Sequence, residues 1–153
     1  GWIVGGRWMV RFQQFSTRTE KVVRGRNNKD GRPSELSEQI KLVRILRASG
    51  ILFCAVPNGG WRDRRGAVML KASGVERGVP DLLIFDRPPL MKGKVGTALE
   101  LKREGPMRKS AVSKYQKEWL ESLELRNWNC VVGFGCRHAL ELLENAGYEL
   151  RLI

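Results

Sequence analysis

Two short apolar runs constrain this chain more than any other stretch: Asp81-Leu82-Leu83-Ile84-Phe85, and Val95-Gly96-Thr97-Ala98-Leu99-Glu100-Leu101. Each has the length and composition of a buried strand. The segment between them, Asp86 to Gly93, contains Pro88-Pro89 and reads as a turn, because consecutive prolines cannot continue a strand. Asp81 opens the first run. Glu100 stands near the end of the second, with Lys102 two residues on. Residues two apart in a strand share a face, so Glu100 and Lys102 point one way while Leu101 points into the core. If the runs pair as a hairpin, Asp81 comes beside Glu100, and two carboxylates and an ammonium converge. That is the minimal set for holding a divalent metal and activating a water.

The rest of the chain reads as alternating helices and strands. Ser34 is a good N-cap for a helix over 35–48, with Glu35 and Glu38 in its first turns, and Ser49-Gly50 ends it. Leu36, Ile40, Leu42, Val43 and Leu46 form one broad apolar face of that helix. Gln39 falls near the centre of this face and Glu35 beside it, while Glu38 falls well to the side. Ile51 to Val56 reads as a strand stopped by Pro57-Asn58-Gly59-Gly60, and a short helix follows over 66–72. A basic loop from Lys102 to Lys109 leads to a helix from Ser113 to about Arg126, with Gln116 one turn from Trp119, Leu120 and Leu123. Residues 129–134 suit a further strand, 137–145 a last helix, and 148–153 an edge strand or tail. The expected order is α-β-β-β-α-β-α, an α/β domain with a mixed sheet.

Composition adds partners and exclusions. The formal net charge is +12, unevenly placed. Residues 1–33 hold eight Lys/Arg against two acids and residues 92–114 hold seven against two, whereas from 115 onward four stand against six. Such asymmetry points to a polyanion, with nucleic acid first and an acidic membrane surface second. No apolar run is long enough to span a bilayer and no signal-peptide pattern opens the chain. Cys54, Cys130 and Cys136 form no paired motif and are expected as buried free thiols in a reducing compartment. The lone His138 suits a surface or capping role. Residues 1–33 read as a basic arm or linker, with Trp2-Ile3-Val4 and Trp8-Met9-Val10 open to a hairpin or to packing on a partner chain.

Pro80-Asp81, an eighteen-residue gap and Glu100-Leu101-Lys102 have the form of the PD-(D/E)xK nuclease signature. That pattern alone is loose. With Gly78-Val79 before it and Ser113-Lys114-Tyr115-Gln116 and Trp119-Leu120 after it, the chain resembles the VRR-NUC (virus-type replication-repair nuclease) branch. Ser34-Glu35, Gln39, Pro57-Asn58-Gly59-Gly60 and Leu70-Lys71-Ala72 extend the resemblance over roughly residues 34 to 146. It implies a restriction-endonuclease-like core over 34–153 and cleavage of phosphodiester bonds leaving a 5′-phosphate.

For the site, the resemblance implies Asp81, Glu100 and the backbone carbonyl of Leu101 as ligands of Mg²⁺ or Mn²⁺. Glu35 joins them directly or through water, and it is chosen over Glu38 because the family's Glu lies four residues before its Gln. Lys102 positions the water or the phosphate, and Gln116 helps hold the water or Lys102. Without the resemblance, Glu35 simply complements its helix N-terminus. The expected DNA contacts are Asn58, Trp61, Arg62, Arg64, Arg65, Lys71, Arg77, Arg103 and Lys109. An aromatic among arginines suits stacking and phosphate pairing, although Trp61 suits the edge of the core equally. Stand-alone members imply a homodimer, an intracellular bacterial or phage setting, and branched DNA such as four-way junctions. A sequence-reading nicking or restriction-like endonuclease and a non-catalytic DNA-binding module are the competing readings.

Overall fold

The computed structural model describes residues 31–57, 64–105 and 111–152. All but the last three residues of the expected N-terminal arm therefore lie outside it. The elements are α1 (Glu35–Ala48), β1 (Phe53–Ala55), α2 (Arg64–Ala72), β2 (Leu82–Ile84), β3 (Thr97–Lys102), α3 (Lys114–Glu124), β4 (Asn129–Phe134) and α4 (Gly135–Asn145). The expected α/β architecture with a mixed sheet is present, and the short helix expected over 66–72 is α2, which starts two residues earlier. No strand follows Tyr148 among the described residues; the end of the chain is a tail.

The sheet runs β1-β2-β3-β4, with β1, β2 and β3 antiparallel and β4 parallel to β3. Leu82 pairs with Leu99 and Ile84 with Thr97, so the register carries Asp81 opposite Glu100. A parallel pair cannot be joined by a tight turn, and α3 makes the crossover from β3 to β4. Thr97 through Leu101 are all buried, as befits a strand with neighbours on both sides. Leu82, Ile84, Leu99 and Leu101 alternate onto one face, where Leu42 and Leu46 of α1 and Ala139 and Leu143 of α4 complete the core.

Helix α1 is rotated from its expected setting. Its buried residues are Glu38, Leu42 and Leu46, while Leu36 is 63% exposed. Glu38 was placed well to the side by apolar spacing alone. It is buried because its charge is used: Oε2 accepts from Cys136 N at 2.7 Å and Oε1 from Lys41 Nζ at 2.6 Å. Phe134 offers α4 no side-chain cap, so Glu38 supplies one from another helix. His138 has the capping role expected of it, its Nδ1 accepting from Phe134 N at 3.1 Å.

The opposite end of the sheet is closed by a polar chain. Tyr148 Oη donates to the Asp86 carbonyl at 2.7 Å and meets Thr97 Oγ1 at 2.9 Å. Asn129 Nδ2 donates to the same hydroxyl at 3.2 Å. Of the cysteines, Cys136 is buried and Cys130 half-buried, and burial pushes both thiols up to about 11. Cys54 departs from expectation: it is exposed, because β1 is an edge strand whose outer face nothing covers among the described residues. No described helix is long and apolar enough to cross a membrane.

Candidate active site

Asp81 precedes β2, and Glu100 and Lys102 end β3, so the sheet itself brings the three residues together. Asp81 Oδ2 accepts from Leu101 N at 2.8 Å, which ties the start of one strand to the end of the other. Glu100 and Lys102 share a face, and Lys102 Nζ donates to Glu100 Oε1 at 2.7 Å. The lysine side chain is 14% exposed and the glutamate 1%. Leu101 points away into the core, as the alternation requires.

Gln116 arrives from α3. Ser113 caps this helix by accepting from Gln116 N, and the Gln116 side chain returns the contact, its Oε1 accepting from Ser113 N at 2.8 Å. That reciprocal capping box fixes which end of the amide faces which partner. With Oε1 taken by Ser113 N and by Lys102 Nζ at 3.3 Å, Nε2 is directed at Glu100 Oε1, to which it donates. Gly78 makes the approach of α3 possible. Its φ is +86°, and a Cβ there would meet the Tyr115 carbonyl carbon at 2.6 Å.

Glu100 is therefore asymmetric. Oε1 receives a lysine and an amide, whereas Oε2 is buried with no hydrogen-bond partner among the described residues. Burial is the main reason the Glu100 carboxyl is pushed up to about 7, with Asp81 and Glu35 adding to it and Lys102 opposing. An orphaned carboxylate oxygen is costly unless a proton or a cation meets it. Carboxylate and carbonyl oxygens are the donors that hard divalent cations favour. The donor set fits such an ion.

These groups line a cleft of about 520 Å³ together with Glu35, Gln39, Val56 and Pro57. Glu35 sits in the exposed first turn of α1, on the cleft wall. Among the described residues no three acidic, thiol or imidazole groups stand close enough to hold one ion unaided. Asp81, Glu100 and the Leu101 backbone meet where the two strands end, and Glu35 stands on the wall of the same cleft.

No family model and no curated protein matches the chain. Among solved structures, one described as a VRR_NUC domain protein matches with a TM-score of 0.56 at 20% identity, over 74% of this chain and 88% of that one. The chain has a VRR-NUC-like fold. At that identity the likeness speaks for the fold, and the chemistry is argued from the residues.

The residues expected to touch DNA divide in two on this VRR-NUC-like frame. Asn58, Trp61, Arg62 and Lys109 lie outside the described residues, and Arg64 and Arg65 stand in the first turn of α2. Lys71 and Arg77 do not line the carboxylate cleft. They line a larger groove on another side of α3. Arg103 follows directly after β3, half-buried. Ser113 was given no role from sequence, yet it holds Gln116. Its signal was present as the Ser-x-x-Gln spacing of a capping box.

Proposed function

We propose that the chain is a metal-dependent DNA endonuclease of the PD-(D/E)xK type, structure-selective for branched DNA such as four-way junctions, leaving a 5′-phosphate and working as a homodimer. The observation that carries the reading is Oε2 of Glu100, buried beside Asp81 and Lys102 and without a partner among the described residues. The branched substrate and the dimer rest on the sequence resemblance.

Asp81, Glu100 and the Leu101 carbonyl would hold Mg²⁺ or Mn²⁺, with Glu35 direct or through water. Bound there, the ion lowers the pKa of a water and offsets charge on the scissile phosphate. Lys102 has three N–H donors, two of them directed to Glu100 and Gln116. The third is available to orient the attacking water or a phosphate oxygen. Gln116 keeps that ammonium and Oε1 of Glu100 in fixed relation, so Oε2 alone remains for the ion.

The test is cleavage of labelled four-way junction, flap and linear duplex by wild type and Asp81→Ala with Mg²⁺, Mn²⁺ or EDTA. Metal-dependent cutting of the junction, duplex spared, and a loss of about a hundredfold to a thousandfold in Asp81→Ala are expected. A variant that cuts like wild type removes Asp81 from the chemistry. Equal cutting of duplex removes the structure selectivity.

A further inference from the structure

We propose that the groove lined by Tyr115 and Trp119 of α3 and by Lys71 and Arg77 is a binding site for an unpaired nucleic-acid strand. The groove has a volume of about 940 Å³, against about 520 Å³ for the carboxylate cleft. Arg126, just past the end of α3, lines it as well. Spacings of four and seven residues place Tyr115, Trp119 and Arg126 along one side of the α3 segment. At 1.5 Å per residue that row is about 16 Å long, enough for a short run of nucleotides.

Cations and aromatic rings both line it. Lys71, Arg77 and Arg126 are exposed cations. Glu76 and Glu118 also line the groove, but Glu118 lies 3.8 Å from Lys114, which takes up part of its charge. Tyr115 is 43% exposed, and the Arg77 guanidinium stands 4.0 Å from its ring centroid. Trp119 is half-buried. Cations beside aromatic faces suit a strand whose phosphates are paired and whose bases stack. A duplex has no free base faces to offer. An acidic peptide would use the cations and leave the rings idle, and a chain carrying +12 selects a polyanion.

Helix α3 serves both the groove and the cleft. Tyr115 lies on it and Gln116, the next residue, contacts Glu100 in the cleft. A strand held in the groove thus lies against the same helix that presents Gln116 to Glu100. The inference rests on the nuclease reading, since it names the feature of a substrate that this site would select, but it is measured without cleavage.

The experiment is fluorescence anisotropy of the full chain in EDTA, with a labelled single-stranded oligonucleotide of mixed sequence and a blunt duplex containing it. The variants are Lys71→Glu with Arg126→Glu, and Tyr115→Leu, each checked for fold by circular dichroism. The charge reversal is expected to weaken single-strand binding about tenfold or more while changing duplex binding less than about twofold. It should also flatten the slope of log affinity against log salt by about 1.4, the value for two phosphates. Tyr115→Leu should weaken single-strand binding several-fold with its salt slope unchanged, because stacking releases no counterions. Equal losses for both probes, or no loss for the single strand, overturn the proposal. Asp81→Asn separates the two readings: groove binding that persists while its junction cutting equals wild type sinks the nuclease site and leaves the groove standing.

Discussion

Glu100 has two oxygens in opposite surroundings, and its behaviour follows from that difference. Oε1 is held by Lys102 and Gln116, while Oε2 is buried and meets no partner among the described residues. Burial lifts the carboxyl from 4.5 to about 7, so the folded state binds its proton more tightly than the unfolded chain does. The group's contribution to stability is therefore greatest below the unfolded value, declines between about 4.5 and 7, and is constant above. Glu100→Gln lacks this slope. Urea unfolding in EDTA at pH 5 and pH 8 should show the variant gaining on wild type by roughly 2–3 kcal/mol at the higher pH. A divalent ion competes with the same proton, so its stabilisation of wild type should grow over that window and be absent from the variant. Gln116 and Ser113 act through Glu100. Ser113→Ala removes the hydroxyl cap at a cost of about 1 kcal/mol. With Gln116 less firmly held, its cleavage rate should fall more than its substrate affinity, and Ser113→Thr should restore the rate.

At the level of elements, α3 connects the sheet, the cleft and the groove. Its closeness depends on Gly78, where φ is +86° and no Cβ fits against Tyr115. Gly78→Ala should cost more than the roughly 1–2 kcal/mol of the left-handed backbone, because α3 must also move away. Hydrogen exchange should show that loss in the first turn of α3 before it shows in β3. Helix α1 shows what spacing could and could not reveal. Its limits, Ser34 cap and Leu42 and Leu46 were legible, because caps and apolar periodicity are local. The burial of Glu38 was not, because its partner Cys136 N lies 98 residues away and only the tertiary structure brings it there. Glu38→Ala should lower stability by about 1–3 kcal/mol, read by denaturant unfolding, since it leaves α4 uncapped.

For the whole molecule, the sequence was most informative where polar residues are placed by the same strands that build the core. The meeting of Asp81, Glu100 and Lys102 was legible because a strand has period two and the hairpin register follows from burying leucines on one face. The exposure of Cys54 escaped it, since an apolar run does not reveal whether its strand lies at the edge of a sheet. So did the division of the basic residues between a cleft and a groove, because charge counting has no geometry. The capping box at Ser113 and Gln116 also sets an order of events. Asp81, Glu100 and Lys102 leave the ribosome before the residues that close α3, and Gln116 takes its place only once that helix has begun. Synthesis thus yields the carboxylates first and the Gln116 contact that holds Glu100 later. On the proposed chemistry, a nascent or unfolded chain is a disarmed nuclease, and folding itself is the safety catch.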